Sequence, residues 1–300
     1  MTRSDNRSRK AIQPGPPVVR RFRDLLCWVD GDNAYVVASD SNAGIGERPN
    51  DVLRQPPTET GYSAAKVALM EVLATGAVPF LLANALGGPR DDYGKQVIAG
   101  IQAAIDELDA EVLLTGSDET NVPTRQTSVG VTVVGRTSVG ALRLGGARVG
   151  DVVVCVGVPK DGLVVPYAEG DRDIANLRDL QSVAGLDSVS EILPVGSRGV
   201  AYEAALLADG AAGSFRPAAS SSIDHGASAG SSTCFLVALP SNRVSDVAAV
   251  VRPQAVVVGE IVRSGPPVVG RLASRAHVTD DRTRSKPSRQ SGAPARPAPR

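Results

Sequence analysis

The chain has 300 residues, of which 42% are hydrophobic and only 3% aromatic, with 32 basic and 32 acidic side chains. That length allows two ordinary domains or one large one, and the composition reads as a soluble α/β protein with a Val, Ala and Leu core. The zero net charge hides an acidic body: residues 24–264 hold 17 Lys/Arg against 29 Asp/Glu, which tolerates a cationic cofactor and argues against a nucleic-acid-binding core.

In chain order, residues 1–23 are basic and poor in apolar groups, and they read as a disordered tail. The ordered body is expected to start at Asp24. Tyr35–Ala38 is a short apolar strand that runs into Asp40. Over 61–75 the residues Ala65, Ala68, Leu69, Val72 and Leu73 share one helical face, with Glu71 beside the stripe and able to reach a cleft. A second helix over 94–108 buries Val97, Ile98, Ile101, Ile105 and Leu108. Residues 112–114 form a strand that empties into the loop Thr115–Asn121, and 128–134 alternate as a strand does. A turn-rich stretch over 145–151 divides a first unit (24–147) from a second (148–264). The second holds strands at 152–158, 234–239 and 255–262 and a helix at 199–209. Residues 265–300 are rich in Arg, Pro and Ser and read as another disordered tail.

Cys27, Cys155 and Cys234 have no metal-ligand or disulfide-framework spacing, and Cys155 sits in a run of valines as a small buried hydrophobe. No apolar run approaches 18 residues and the polar start lacks a signal core, so the expected location is cytoplasmic, with no membrane partner. His225 and His277 have polar surroundings and no partner at a telling spacing, which gives no support to a histidine-activated nucleophile.

The informative pattern is four clusters of carboxylate and glycine within the first 120 residues. They are Gly31-Asp32-Asn33; Ser39-Asp40-Ser41-Asn42 with Gly44-Ile45-Gly46-Glu47; Glu71 in Glu71-Val72-Leu73-Ala74-Thr75-Gly76-Ala77; and Thr115-Gly116-Ser117-Asp118-Glu119-Thr120-Asn121. Hard oxygen ligands next to tight turns suit a Mg²⁺–polyphosphate site, with glycines letting main-chain N–H groups approach phosphate. The sequence contains no Gly-x-x-x-x-Gly-Lys-Ser/Thr, so a nucleotide would be held through carboxylate-bound metal rather than a P-loop lysine. Asp40 is also readable as a capping or turn aspartate, but Gly44 and Gly46 in its loop favour a metal ligand. Asp32 reads as a ligand or as an Asx-turn. Asp118 and Glu119 are adjacent and point apart in an extended loop, and Glu119 is the better ligand of the two. Asn121 and Thr124 suit hydrogen bonds to nucleotide or substrate, and Lys160 suits a phosphate or a plain surface turn.

In this order the motifs resemble the aminoimidazole-ribonucleotide-synthetase (PurM-like) superfamily, which includes thiamine-monophosphate kinase and selenophosphate synthetase. The departures (Asn33 for a second Asp, Glu71 for a helix Asp, Thr-Gly-Ser-Asp-Glu for Gly-Gly-Asp) look like its α-ribazole kinase branch. So do Glu191–Gly199 and Ser228–Cys234. The resemblance implies a two-domain α/β (α+β) fold. The N-terminal sheet would form a barrel across a homodimer interface, and a C-terminal α/β domain would pack over the cleft. It also implies an ATP- and Mg²⁺-dependent kinase acting on the 5′-hydroxyl of α-ribazole in cobalamin lower-ligand salvage. Asp40, Glu71 and Glu119 would be the catalytic carboxylates, and Asp32, Asp40, Glu71, Asp118 and Glu119 the metal set. Asn42, Gly44, Gly46, Thr115, Gly116, Asn121, Thr124 and Lys160 would bind nucleotide. The alternatives are a thiamine-monophosphate-kinase-like enzyme and a non-catalytic nucleotide-binding relative.

Overall fold

The computed structural model describes residues 17–264. Thirteen strands and five helices follow in the order β1 Arg20–Phe22, β2 Leu25–Asp30, β3 Asn33–Ala43, β4 Ile45–Gly46, β5 Leu53–Arg54, α1 Pro57–Ala74, β6 Val78–Leu86, α2 Asp92–Asp106, β7 Leu113–Asp118, β8 Ser128–Ser138, β9 Val152–Gly157, α3 Leu177–Ala184, β10 Glu191–Pro194, α4 Gly199–Gly210, β11 Gly213–Pro217, β12 Cys234–Leu239, α5 Val244–Ala248 and β13 Ala255–Arg263. The first half forms a six-stranded sheet in the order β1-β2-β3-β8-β6-β7, antiparallel except for β6-β7. The second half forms an antiparallel five-stranded sheet in the order β10-β12-β9-β13-β11.

Local signals explain where the helices begin and end. Two prolines open α1, and Gly76 at φ +78° closes the turn after it. Asp91 caps α2 by accepting from the Gly94 N–H at 2.9 Å. Asn176 and Asp179 form a reciprocal capping box at α3. The first two helices lie unusually close. A Cβ at Gly61 would fall 1.8 Å from the Val97 carbonyl oxygen, and one at Gly100 would fall 1.8 Å from that of Thr58. Only residues without a side chain allow this approach.

The two halves share a core. Along β3, Ala34, Val36 and Ala38 are buried, and Val36 and Ala38 share one apolar cluster with residues of α1 and with Val154, Val156, Phe235 and Val237 of the second sheet. The opposite face of the second sheet packs Val153, Cys155, Leu236 and Ala238 against Val200, Ala204 and Leu207 of α4. Helix α1 therefore lies between the two sheets and is buried at most of its positions.

Three expectations change. Arg20–Phe22 pairs with Leu25–Cys27 as an edge strand, so the ordered body begins before Asp24 and the basic tail does not extend to residue 23. Strand β3 does not stop at Ala38 but runs through Asp40 to Ala43, because β8 stays in register with it to Ser128. Thr115–Asp118 is strand rather than loop, since β6 pairs it in parallel up to Leu86↔Asp118. The remaining parts of both expected tails, 1–16 and 265–300, lie outside the described residues. Among the described residues no helix is long and apolar enough to cross a membrane.

Candidate active site

The two halves enclose a cleft of about 1150 Å³. Helix α1 presents Glu59, Ser63, Val67 and Glu71 to it, a stripe at four-residue spacing. From β3 come Asp40 and Asn42, on the inward side that carries Ala34, Val36 and Ala38. The β1–β2 turn adds Arg23 and Asp24, and the second half adds Gly196–Arg198 and Glu203 at the start of α4.

The charges here are mutually unfavourable. Burial holds the Glu71 carboxyl well above its usual range, with Asp24, Glu203 and Asp40 adding to the rise. Burial likewise raises Asp40 to about 6. Glu203 is raised to about 7 by burial and then by Asp24, with Arg23 opposing. Carboxylates crowded this way favour an added cation. Among the described residues no three acidic, His or Cys side chains converge closely enough to hold a metal by themselves. That fits Mg²⁺, which keeps several waters and takes one or two carboxylates together with substrate phosphates.

The structure brings together only part of the set expected from sequence. Asp40, Glu71, Asn42 and Gly44 line the cleft. Asp32 does not: it lies at the β2–β3 hairpin, eight residues along an extended strand from Asp40, or roughly 25 Å. Asp40 is in register with Val131, Asn84 and then Gly116, so the β7 carboxylates sit three strands away, about 14 Å. Asp118 accepts from the Thr120 hydroxyl at 2.7 Å. Glu119 accepts the N–H groups of Asn121 and Val122 at 2.7 and 3.2 Å, closing its own loop. One ion cannot be shared by Asp40 and Glu119 within a single chain.

Several other candidates are engaged in structure. Asn42 donates to the Thr60 carbonyl at 3.1 Å and the Ser63 hydroxyl at 2.9 Å, tying β3 to α1. Gly46 packs where a Cβ would meet the Tyr93 hydroxyl at 2.2 Å and Thr127 Oγ1 at 2.6 Å, so its smallness serves the Tyr93–Thr127–Asp51 network. Gly116 makes room for Asn84, which donates to the Thr115 carbonyl at 3.0 Å. The Lys160 ammonium lies 3.4 Å from Asp171 and 3.3 Å from Asp173, which occupy it. Thr124 keeps a buried hydroxyl with no partner. Sequence reading missed Asp24, Glu203 and the cleft arginines. Arg21 and Arg23 fell in a presumed tail, and Glu203 is one glutamate in a helix with no motif around it.

Residues 23–137 match the family described as AIR synthase related protein, N-terminal domain. No curated protein matches the sequence. Among solved structures, thiamine-monophosphate kinase from Stenotrophomonas maltophilia K279a is 18% identical, with 81% of this chain and 90% of that one covered at a TM-score of 0.57. AaThiL complexed with AMPPCP and TMP is 16% identical, covering 80% and 85% at 0.59. The hydrogenase maturation protein HypE in complex with ATP is 16% identical, covering 76% and 77% at 0.56. Identities this low speak to the fold alone. The chain has the PurM-like fold, and its residues 23–137 match the model of the AIR synthase related protein N-terminal domain.

Proposed function

We propose that this chain is a Mg²⁺-dependent kinase that moves the γ-phosphoryl group of ATP onto the hydroxyl of a small molecule bound in the cleft, with α-ribazole as the acceptor. The observation that carries the reading is the set of carboxylates from both halves, Asp24, Asp40, Glu71 and Glu203, facing one another around an enclosed space. AaThiL, whose fold this chain shares, is complexed with AMPPCP and TMP.

In this reading Asp40 and Glu71 are the residues that would hold the ion. Bound there, Mg²⁺ neutralises charge on the transferring group. The chain's own contribution is positioning. Helix α1 is fixed between two sheets, so Glu71 cannot drift relative to Asp40. Glu203 stands on the opposite wall, raised to about 7, and is placed to take the proton as the acceptor oxygen bonds to phosphorus and ADP leaves. Asp118, Glu119 and Thr124 lie at the same end of the sheet as Asp40 and serve the far part of the nucleotide rather than this ion.

The sheet face away from α1 supports a homodimer. Trp28 stacks on Tyr35 with centroids 5.1 Å apart, and Phe80 meets Tyr35 edge-on at 6.4 Å. Leu26, Phe80 and Leu113 are exposed around them. An aromatic and aliphatic sheet face of this kind is suited to a second copy of the chain.

A second reading, a thiamine-monophosphate-kinase-like enzyme, is favoured by one observation. Between 24 and 126 the basic residues are few and scattered, yet folding brings Arg21, Arg54 and Arg198 to the cleft. Such cations suit an acceptor that already carries a phosphate. Purified protein incubated with Mg·ATP and α-ribazole, thiamine monophosphate or aminoimidazole-type acceptors, with products followed by mass, separates these readings. Product from α-ribazole alone supports the first, and thiamine diphosphate alone supports the second. No product from any acceptor, together with Mg²⁺-independent ATP binding, would leave a non-catalytic relative.

A further inference from the structure

Residues 159–173 join β9 to the stretch before α3 without forming helix or strand. Gly162, Leu163, Pro166, Tyr167 and Glu169 of this segment line the cleft mouth. Its tip is three consecutive apolar residues in water: Leu163, Val164 and Val165 are 67%, 79% and 46% exposed. Such a run in a soluble protein is unfavourable unless something covers it. The tip is nevertheless shaped. Asp161 accepts the Leu163 N–H through its side chain at 2.9 Å, and its carbonyl accepts from Val164 and Val165 at 2.9 and 2.6 Å. Across the mouth stand Leu53 and Pro56 of the first half. A Cβ at Gly162 would already lie 3.0 Å from Leu53 Cδ2.

The base of the segment is fastened at three points. Lys160 holds Asp171 and Asp173, which pins the two ends together. The Tyr167 hydroxyl bonds to that of Ser231. Glu169 reaches into the protein to Lys66 at 2.8 Å, and the Lys66 side chain is fully buried in α1. Burying an ammonium costs several kcal/mol that its partner at best offsets, and replacing both members of such a pair by uncharged residues of similar volume is often neutral or stabilising. The pair therefore needs a reason other than stability. Lys66 immediately precedes Val67, one of the four α1 residues that face the cleft. The pair thus ties a loop of the second half to the helix that carries Glu71.

Resting on the kinase reading above, we propose that residues 159–173 are the acceptor-recognition flap. Its apolar tip closes toward Leu53 and Pro56 over a planar, uncharged ring of the acceptor, and Lys66 is a positioning residue acting through Glu169. The aromatic base of a nucleoside and the aminopyrimidine ring of thiamine share this chemistry.

Two double variants of the full chain test it: Lys66→Met/Glu169→Gln, which keeps the volumes and removes the tie without leaving a buried charge, and Leu163→Ser/Val164→Ser, which keeps the tie and removes the cover. Each is assayed at saturating Mg·ATP with α-ribazole and with thiamine monophosphate, and the acceptor that gives product identifies the ring. Both variants should raise the acceptor KM about tenfold, as expected for losing part of two buried apolar side chains or their placement. The ATP KM should stay within about twofold. Lys66→Met/Glu169→Gln, which leaves neither charge stranded, should melt no lower than the wild type, which separates positioning from structural support. An unchanged acceptor KM in either variant overturns the proposal while the kinase reading stands. Hydrogen exchange of residues 161–169, measured with each acceptor and no nucleotide, reads the flap without turnover. Slowed exchange supports the proposal even if no product forms and the kinase reading falls. Unchanged exchange with both acceptors overturns it.

Discussion

Arg23 reaches out of the first half of the chain and places its guanidinium 2.9 Å from the carboxylate of Glu191, on strand β10 of the second half. Glu191 is almost wholly buried and also accepts the N–H groups of Gly145 and Ala147, both at 3.1 Å. One carboxylate thus gathers the first hairpin, the connection between the halves and the second sheet. Arg23 donates as well to the Leu206 carbonyl at 3.3 Å, on α4 three residues from Glu203.

Replacing Arg23 by Met should cost about 3 kcal/mol, because the buried Glu191 loses the cation it pairs with while its charge stays in place. Chemical denaturation checks this. Restoring stability with Glu191→Gln in the same chain should recover most of the loss, since the uncompensated charge is then removed. A single Arg23→Met variant as stable as the wild type would show that the two backbone N–H groups suffice for Glu191.

That ion pair marks where sequence reading reached its limit. The elements with strong periodicity, α1, α2, β8, β12 and β13, lie close to where the pattern placed them, because their apolar spacing reports burial directly. Strand β1 was hidden by composition: Arg20, Arg21 and Arg23 read as tail because their partners, Cys27, Leu26 and Glu191, are chosen only by tertiary contact. Asp40 and Glu71, which line one cleft, were legible as residues that face it because each lies next to an apolar pattern that fixes its side. Glu203 was not, since nothing local distinguishes a helix glutamate that faces a cleft from one that faces water. Gly46 illustrates the converse. A glycine beside acidic residues suggested room for phosphate, and the structure fills that room with Tyr93 and Thr127.

The raised carboxyls set a pH dependence. Asp40 at about 6 and Glu203 at about 7 lie above their unfolded values of roughly 3.9 and 4.3. Between those limits the folded chain binds more protons than the unfolded one. The stability they contribute is full below pH about 4 and is lost as pH rises through 6 and 7. Without metal, the melting temperature should therefore fall from pH 5 to pH 8 more steeply in the wild type than in Glu203→Gln. Mg²⁺ needs the ionised carboxylates, so stabilisation by Mg·ATP should grow over the same range. Equal slopes for the two proteins in EDTA would remove Glu203 from the electrostatics of the cleft.

The exposed sheet face predicts an oligomeric state. In solution the protein should have about twice the 30.9 kDa mass of one chain. Phe80→Glu, placing a charge beside Tyr35 and Trp28, should shift it toward the monomer, because an unpaired carboxylate at a buried interface is costly. Light scattering over a concentration series measures this, with circular dichroism to verify that the sheet persists. A monomeric wild type at tens of micromolar would dismiss this face as a self-association surface.

The proposed metal site is tested most directly at Asp40. Its side chain projects from the inward face of β3 into the cleft, where burial already disfavours its charge. Asp40→Asn preserves shape and removes that charge, so the apo protein should be at least as stable as the wild type. Turnover should fall well over tenfold, because one hard ligand to the ion that neutralises the transferring phosphoryl group is gone. Thermal stabilisation by Mg·ATP should shrink in parallel, while stabilisation by ATP in EDTA should stay as it is in the wild type. Loss of turnover with undiminished Mg²⁺-dependent stabilisation would place Asp40 on the acceptor rather than on the metal. Full turnover at saturating Mg²⁺ would remove it from the reaction altogether and leave Glu71 to be judged with Asp24, the carboxylate that adds most to its raised pKa after burial.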